Sequence, residues 1–559
     1  MEYEIITLFK NCKIETVDNK SSIAEVMSMY RDKILAIGTE KNVRSETRNF
    51  IENSERDVKL IEVDLRGAYI VPGFIDAHLH PIIAIYYKTQ LHLSEVRSYA
   101  ELGAILKKED EIRSKDEWIL GFNLMENVFT DPAERFFPDR YKLDEICTNR
   151  PLIIFRYDGH ICSVNSLALN IMGIEKSTVN EITFESGEIQ LDAEGNPSGI
   201  FTEGATTFAL ENAPTPSREM FKEASKKFFD ELASYGITTC GAIIQAGELG
   251  IAGKAGRLEL PFLKYLIQEG QIEQDLVIFI VTDKLKKLNQ IKRSFSKLVG
   301  ESDKISVDGI KLWADGSFGA FTAYMFEPFS DSIKNKTGLI VTERKKLFEI
   351  FKEAYELGYL LACHAVGDRA NRMVVDVYRD ILEETNENKT VKKPKRIRIE
   401  HASLIDNNTL ADAAKLGIIF ACQPQYINSE YMWLEKRLGP KRIKYVYPFR
   451  SIIDSGAVLA GASDAPIESP NVLEAIQACV TRNGFVPEQA INVYEALKMF
   501  TFNAAFALGK EKVKGSLETG KLADFVILER DIMSVPSDKI ADIKILKTYH
   551  RGKEIFNVE

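Results

Sequence analysis

Two histidines near the start of the chain have a spacing that suits a metal ion. His78 and His80 end the apolar run VPGFIDAHLH, which covers residues 71–80. Side chains two positions apart in a β-strand point to the same face, so both imidazoles can bind one ion. Paired histidines also occur as ordinary polar residues, and the pair alone is a weak signal. The hypothesis of a metal site therefore depends on the other ligand types in the chain.

Further residues of ligand type end other apolar runs. They are His364, His401 and Asp464, and a lysine, Lys311, lies inside the run GIKLW. Imidazole and carboxylate ligands favour zinc, although they also suit manganese, iron or nickel. The alternative for the two histidines and the aspartate is that they are hydrogen-bonded polar groups of a core.

Lys311 is flanked by apolar residues, where a charged and unpaired ammonium group is costly, so its pKa should fall. A neutral amine can capture carbon dioxide. The resulting carbamate has two oxygens that can bridge two metals held ~3.5–4 Å apart. A buried ion pair or a side chain extending outward to solvent is the alternative for this lysine.

The composition of the chain limits the classes of protein and partner. A chain of 559 residues is longer than one hydrophobic core usually organises. Its net charge of −10 gives no overall attraction for phosphate backbones or anionic lipid. No segment approaches the ~20 apolar residues of a membrane span, and the first residues lack a signal-peptide pattern. We therefore expect a cytoplasmic protein with a small-molecule substrate and no nucleic-acid or membrane partner. It could form a homo-oligomer.

Eight strand-like apolar runs alternate with amphipathic stretches, which is typical of a parallel sheet buried on both faces. Eight such strands close a (β/α)8 TIM-type barrel, whose catalytic groups lie at the carboxyl ends of the strands. The predicted strands are 69–80, 237–245, 276–282, 306–315, 359–364, 397–402, 418–423 and 457–464. The fold class is therefore α/β, and the candidate ligands all lie in or at the ends of these strands.

The rest of the chain predicts two further units. Both chain ends contain short alternating strands, and neither has enough for a core of its own, so residues 1–70 and 512–559 should form one small β-sandwich. The barrel should cover residues 71–511. The ~150-residue gap between its first two strands is too long for a simple connection. We expect an inserted α/β subdomain over 92–215, lying over the barrel mouth.

Several short motifs are spread along the chain. They are VPGFIDAHLH (71–80), GIKLWADGS (309–317), HAVGDRA (364–370), IEHA (399–402), GASDAP (461–466), TFNAA (501–505) and GSLETGKLADF (515–525), together with YDGH and NSLAL in the insertion. These motifs resemble those of the amidohydrolase superfamily, and more narrowly the branch that contains N-substituted formamide deformylases. The resemblance covers nearly the whole chain.

The resemblance implies a binuclear site, with zinc as the default metal and two ions per chain. The implied ligands are His78, His80 and Asp464 on one metal, His364 and His401 on the other, and carboxylated Lys311 as the bridge. The implied reaction is attack by a metal-activated hydroxide on a non-peptide carbon–nitrogen bond of a linear amide or N-formyl amine. Asp464 would orient the nucleophile, take its proton and pass it to the leaving nitrogen.

Three residues are candidates for binding the substrate. His160, in the YDGH motif, is implied by the resemblance to bind and polarise the substrate carbonyl; without the motif, a lone histidine in an insertion would be read as structural. Asp315 and Gln423 end predicted strands and face the expected barrel mouth. Asp315 is equally well explained as part of a turn with Gly316, and Gln423, which precedes a proline, as the end of a strand.

Two other functions compete with this interpretation. A one-metal deaminase on the same barrel would carry a glutamate shortly after His364, but the next residues are Ala365, Val366, Gly367 and Asp368. It would also leave Lys311 unexplained. A catalytically silent binding protein on this fold would be expected to have lost ligands. Metal content separates the three: about two ions per chain for the hydrolase, one for the deaminase and none for the silent protein.

Overall fold

The computed structural model describes residues 4–113, 117–147, 149–156, 161–184, 188–202, 204–213, 215–247, 253–332, 335–387 and 396–558. The strands in this part of the chain are β1 (Glu4–Lys10), β2 (Lys13–Glu15), β3 (Ile23–Ala24), β4 (Val26–Tyr30), β5 (Lys33–Gly38), β6 (Val58–Asp64), β7 (Tyr69–Pro72), β8 (Phe74–Leu79), β9 (Leu91–His92), β10 (Ile119–Leu124), β11 (Leu152–Arg156), β12 (Ile161–Val164), β13 (Ile189–Leu191), β14 (Pro197–Thr202), β15 (Ile237–Gln245), β16 (Asp275–Val281), β17 (Ile305–Trp313), β18 (Leu360–Ala365), β19 (Ile397–His401), β20 (Ile419–Cys422), β21 (Leu459–Gly461), β22 (Phe525–Leu528), β23 (Ile545–His550) and β24 (Lys553–Asn557).

The α-helices are α1 (Glu40–Glu52), α2 (Pro81–Lys88), α3 (Tyr99–Ile112), α4 (Arg140–Ile146), α5 (Ser166–Ile171), α6 (Gly204–Asn212), α7 (Arg218–Ser234), α8 (Glu259–Gln268), α9 (Leu285–Val299), α10 (Arg344–Glu356), α11 (Asp368–Glu387), α12 (Asn407–Lys415), α13 (Gln425–Leu438), α14 (Phe449–Asp454), α15 (Val472–Thr481), α16 (Val493–Lys498) and α17 (Ala504–Ala507). None of the helices in the described residues is both long enough and apolar enough to cross a bilayer.

Eight parallel strands form the predicted barrel, in the order β8-β15-β16-β17-β18-β19-β20-β21. Every residue of β15 and β16 is buried, as expected for strands covered on both faces. The first and last strands meet at their carboxyl ends, where the Asp464 amide donates to the His78 carbonyl over 2.8 Å and the His80 amide to the Ala465 carbonyl over 2.8 Å. The predicted α/β barrel is confirmed.

The first predicted strand, 69–80, is wrong as a single element, because the chain changes sheets at Gly73. The β7 segment before it pairs with β2 and β22, whereas β8 after it pairs with β15. The Gly73 amide donates to the Asp524 carbonyl over 2.8 Å, and a Cβ at this position would lie 2.7 Å from the Thr238 side chain. A glycine permits this close approach between the barrel and the terminal sheet.

The two chain ends build a common β unit. One sheet has the order β5-β4-β1-β6, and the other, β24-β23-β22-β7-β2-β3, combines strands from both ends. Apolar residues of the two sheets share one core, in which Phe9 packs at 5.2 Å from Phe525 and at 5.6 Å from Tyr549 between ring centroids. The prediction that both ends contribute to one β unit is confirmed.

Residues Ile85–Ser225 form a compact unit of their own. Its sheet has the order β13-β14-β12-β11-β10-β9, with parallel pairing between β10 and β11 and antiparallel pairing between β11 and β12. Phe122 and Phe155 stack in it with ring centroids 4.6 Å apart. The predicted insertion, 92–215, falls inside this unit. The predicted domain boundaries and the placement of the insertion over the barrel mouth stay predictions.

Candidate metal centre

Three side chains of ligand type converge where the first and eighth barrel strands meet. His78 is the penultimate residue of β8, His80 directly follows this strand, and Asp464 lies just beyond β21. The Nε2 atoms of His78 and His80 are 3.3 Å and 3.2 Å from Asp464 Oδ1. One ligand atom from each residue lies within 4.8 Å of the others, and all three residues are buried.

The backbone at the end of the eighth strand is shaped to bring Asp464 to the histidines. Asp464 has a φ of 62°, in the left-handed region that non-glycine residues rarely adopt. A second carboxylate, Asp76, holds the two strand ends together, because it accepts the amides of His78 at 3.0 Å and Ser463 at 3.1 Å. Burial raises the pKa of Asp76 to about 6, against the lowering effect of these hydrogen bonds.

His78 is oriented from behind by a buried ion pair. Its Nδ1 contacts the Glu400 carboxylate, which in turn lies 2.6 Å from Arg398 Nε. Burial alone would raise the pKa of Glu400, but Arg398 and His78 lower it to about 2, so the carboxylate is ionised. A carboxylate can only accept, so His78 Nδ1 carries a proton, and the neutral form of this imidazole has its lone pair on Nε2. Such carboxylate support is common behind histidines that bind metals.

The donor atoms fit a cation. His78 Nε2 and Asp464 Oδ1 are buried and have no hydrogen-bond partner among the described residues. A lone pair and a carboxylate oxygen facing each other without a proton between them repel, and buried polar atoms are seldom left without a partner. A divalent ion bound by both atoms and by His80 would remove this conflict, and imidazole and carboxylate are ligands that zinc accepts.

His364 and His401 lie beside each other, with ring centroids 4.4 Å apart. His364 Nε2 is 2.9 Å from the Gly316 carbonyl, and His401 Nδ1 is 2.9 Å from Gln423 Oε1. Because these oxygens accept the ring protons, each histidine keeps a lone pair on its other nitrogen. Burial, reinforced by Lys311, lowers the pKa of His364 to about 3; burial and His364 lower that of His401 well below its usual value. Both imidazoles are therefore neutral, as metal binding requires.

Lys311 is 1% exposed, in β17, with its Nζ 4.7 Å from the centre of the Trp313 ring. Burial lowers the pKa of Lys311 to about 8, although Glu400 and Asp464 oppose this shift. A larger share of its amine is then neutral near physiological pH than for an exposed lysine. This matches the condition for carbamate formation, and the carbamate itself stays a prediction.

The predicted substrate-binding residues have different surroundings. Asp315 is fully buried and accepts the amides of Tyr324, Val366 and Gly367 at 2.8, 3.0 and 2.8 Å. Burial nevertheless raises its pKa to about 7. Asp315 thus ties the loops after β17 and β18 together. Gln423 is 1% exposed and bonded to His401. A substrate contact of either residue stays a prediction, and His160 lies outside the described residues.

Sequence reasoning did not assign a role to Glu400, Arg398, Asp76 or Tyr426. The Tyr426 hydroxyl donates to Asp464 Oδ2 over 2.8 Å, and burial, with the charge of Asp464, raises the pKa of this phenol well above its usual value. One signal for Glu400 and Arg398 was present, since two charged residues alternate with isoleucines in the fully buried strand β19. Such residues are costly unless paired.

Comparisons with known proteins agree with this geometry. The model of the family described as "Amidohydrolase family" matches residues 62–556. The N-substituted formamide deformylase of Arthrobacter pascens is 25% identical over 97% of this chain and 96% of its own. The protein LONG AFTER FAR-RED 3 of Arabidopsis thaliana is 28% identical over 98% and 91%.

A solved structure, described as an uncharacterized metal-dependent hydrolase from Pyrococcus furiosus, shares the fold. It superposes with a TM-score of 0.75 at 24% identity and covers 95% of this chain and 100% of its own. The family match spans both terminal strands of the barrel and every candidate ligand between them. The chain belongs to the amidohydrolase family.

Proposed function

We propose that the protein is a metal-dependent hydrolase that cleaves a non-peptide carbon–nitrogen bond in a linear amide or N-formyl amine. The observation that carries the proposal is the pair of buried, unpartnered atoms His78 Nε2 and Asp464 Oδ1 beside His80 at the barrel mouth. The reaction type is supported by the relative named N-substituted formamide deformylase, which aligns over 97% of the chain.

His78, His80 and Asp464 would hold one divalent ion, with zinc as the first choice. When bound, such an ion acts as a Lewis acid and lowers the pKa of water from about 15.7 toward ~7. The Arg398–Glu400 pair would keep the Nε2 lone pair of His78 directed at the ion. His80 and Asp464 complete the ligand set from the strand ends.

Asp464 is placed to handle the proton. Its Oδ1 faces the two histidines, and its Oδ2 is held by Tyr426. We propose that Asp464 takes the proton of the attacking water and delivers it to the leaving nitrogen, a role that contributes about 10²–10⁴ in rate for a positioned general base. His160 would bind the substrate carbonyl and polarise it.

A second ion is proposed at His364 and His401, with carboxylated Lys311 as the bridge to the first. It is supported by the free lone pairs of the two imidazoles, one on each ring, and by the lowered pKa of Lys311. Two ions per chain after zinc reconstitution are the expected result, and bicarbonate should increase metal uptake. One ion at saturation would contradict the binuclear form while leaving the first site intact.

The test of the proposed function is a substrate panel. Chelator-treated protein reconstituted with zinc would be assayed against N-formyl amines, linear N-acyl amines, cyclic amides and heterocyclic amines, with amine, acid and ammonia release as readouts. We expect release of an amine from one of the linear classes, dependent on the added metal. Ammonia release from heterocyclic amines would support a deaminase instead, and hydrolysis that is insensitive to the chelator would contradict a metal-dependent reaction.

A further inference from the structure

Tyr426 contacts the carboxylate of Asp464 through the oxygen that His78 and His80 do not contact. The phenol donates to Oδ2 over 2.8 Å, whereas the Nε2 atoms of the two histidines are 3.3 Å and 3.2 Å from Oδ1. The two oxygens of one carboxylate therefore have different surroundings. A carboxylate that was free to rotate about its χ2 torsion would exchange them.

The ring of Tyr426 is held in place independently of its hydroxyl. Tyr426 belongs to the first turn of α13, directly after the end of β20. Its ring centroid lies 6.3 Å from that of His401 and 6.4 Å from that of Tyr447, whose ring is stacked on it at an angle of 18°. The Tyr447 hydroxyl bonds to Glu430 and not to Asp464. Removing the Tyr426 hydroxyl should therefore remove the bond to Asp464 and leave the packing of the ring.

We propose that Tyr426 is a positioning residue that fixes the carboxylate of Asp464, so that Oδ1 is directed at His78 and His80. This proposal rests on the proposed function for its catalytic part. The metal-binding part is independent of any substrate.

A hydroxyl suits this task because it donates to Oδ2 without adding a positive charge beside the metal-binding histidines, as a lysine or arginine in its place would.

The test compares two variants that each remove one phenolic hydroxyl from the stacked pair of rings, Tyr426→Phe and the matched control Tyr447→Phe. Apoprotein of each would be titrated with cobalt(II), whose visible absorption reports the ligand geometry. We expect Tyr426→Phe to weaken cobalt binding by about 10–100-fold and to change the absorption bands, as loss of a group that orients a ligand does. Tyr447→Phe should behave as the wild type. The melting temperatures of both variants check that the packing is kept.

A double-mutant cycle separates positioning from a general structural effect. In an Asp464→Ala background, Tyr426→Phe should change cobalt affinity by less than about 2-fold, because the carboxylate that the phenol orients has been removed. Unchanged cobalt affinity and spectrum in Tyr426→Phe would overturn the proposal. So would an effect of equal size in the Asp464→Ala background or in Tyr447→Phe.

With a substrate from the panel, Tyr426→Phe should lower kcat by about 10–100-fold and change KM by less than about 3-fold, the mark of a group that acts in the transition state. Wild-type kcat in this variant would contradict the proposal while the proposed function stood. If wild-type protein hydrolysed no carbon–nitrogen bond, the proposed function would fail, and the cobalt comparison would still decide whether Tyr426 positions Asp464.

Discussion

Two buried clusters of charged and histidine side chains lie at opposite ends of the barrel strands. The upper cluster lies at the carboxyl ends. It consists of the candidate ligands His78, His80, Lys311, His364, His401 and Asp464, with the Arg398–Glu400 pair behind His78. The lower cluster is built around Asp275, the first residue of β16. Both clusters include histidine, lysine and aspartate side chains, and both are shielded from water. The difference between them lies in how their polar atoms are paired.

In the lower cluster the charges match. The Asp275 carboxylate accepts two hydrogen bonds from Arg551, of 3.0 Å and 2.9 Å. It also accepts one from Lys514 at 2.6 Å and one from His550 at 3.0 Å. Lys514 also lies 2.9 Å from Asp524 and donates to Thr239 at 2.7 Å. This network links the barrel to the strands from the chain's carboxyl end. Its cations satisfy the central carboxylate, so no further ion is needed there.

In the upper cluster the pairing is incomplete, because His78 Nε2 and Asp464 Oδ1 lie 3.3 Å apart and neither has a hydrogen-bond partner among the described residues. In (β/α)8 barrels the carboxyl ends carry the chemistry and the amino ends carry stability. The two clusters of this protein illustrate the physical basis of that rule. A buried carboxylate that is matched by cations, as Asp275 is, stabilises the fold. A buried imidazole nitrogen and carboxylate oxygen without hydrogen-bond partners, as in the upper cluster, are instead arranged for a ligand.

The largest expected effect is on activity at the upper cluster. Asp464→Asn keeps the size of the side chain but removes the charge and the proton acceptor, so hydrolysis by the zinc-loaded protein should fall by about 10²–10⁴-fold. The melting temperature should change little, because the shape is kept. Steady-state kinetics and calorimetry measure the two effects. Asp283→Asn is the control, since Asp283 lies just after β16 and pairs with Lys346 at 2.8 Å; it should keep full activity.

The opposite pattern is expected at the lower cluster. Asp275→Asn leaves Lys514 and Arg551 without their shared anion in a buried place, which should cost about 3–5 kcal/mol of unfolding free energy. Activity per folded molecule should be unchanged. Urea unfolding gives the first value and active-site titration the second. In Asp303→Asn the lost partner of Arg551 is a 71% exposed carboxylate, so at most about 1 kcal/mol should be lost. Equal losses in the two variants would contradict the contrast between the clusters.

The sequence predicts the upper cluster well because each ligand is tied to a local pattern. His78, His364, His401 and Asp464 all follow apolar runs, and parallel strands bring their carboxyl ends to one side of the sheet. Strand β15 has the predicted bounds, 237–245, and the other seven predicted barrel strands overlap the observed ones. The sheet change at Gly73 was not predicted. A continuous apolar run has the same residue pattern whether it forms one strand or two strands in different sheets.

The pairing of side chains between distant segments could not be predicted in the same way. Glu400 contacts His78 across 322 positions of sequence, and Asp275 contacts Lys514 across 239. No short motif contains either pair, and His550, which joins the lower cluster, belongs to no motif of the sequence. Tyr426 was missed for the same reason, since its role depends on where the start of α13 lies relative to Asp464.

Glu400 allows a sharper test within the upper cluster. Glu400→Gln removes the charge that holds the proton on His78 Nδ1 and should weaken zinc binding by about 10–100-fold, as loss of support behind a ligand does. Competition with a chromophoric chelator measures the affinity. Glu511→Gln is a matched control, because Glu511 also pairs with an arginine near β19, Arg396, at 2.7 Å and 2.9 Å. An equal loss of zinc affinity in both variants would show that the Glu400 effect is a general result of breaking an arginine pair.

The smallest expected effect is a pH dependence confined to the lower cluster. Burial alone would raise the pKa of Asp275, but Lys514, His550 and Arg551 lower it well below its ordinary value. Its folded-state pKa is depressed, so its contribution to stability is present above the unfolded pKa of about 3.9 and is lost as pH falls.

The stability gap between wild type and Asp275→Asn should therefore be constant from pH 6 to about 5. It should shrink by about 1 kcal/mol on reaching pH ~3.4. Urea titrations of the metal-free proteins across this range measure the gap. A stability gap that stayed constant down to pH ~3.4 would show that Asp275 is protonated in the folded protein to the same extent as in the unfolded chain. The lower cluster would then not be a matched ionic network.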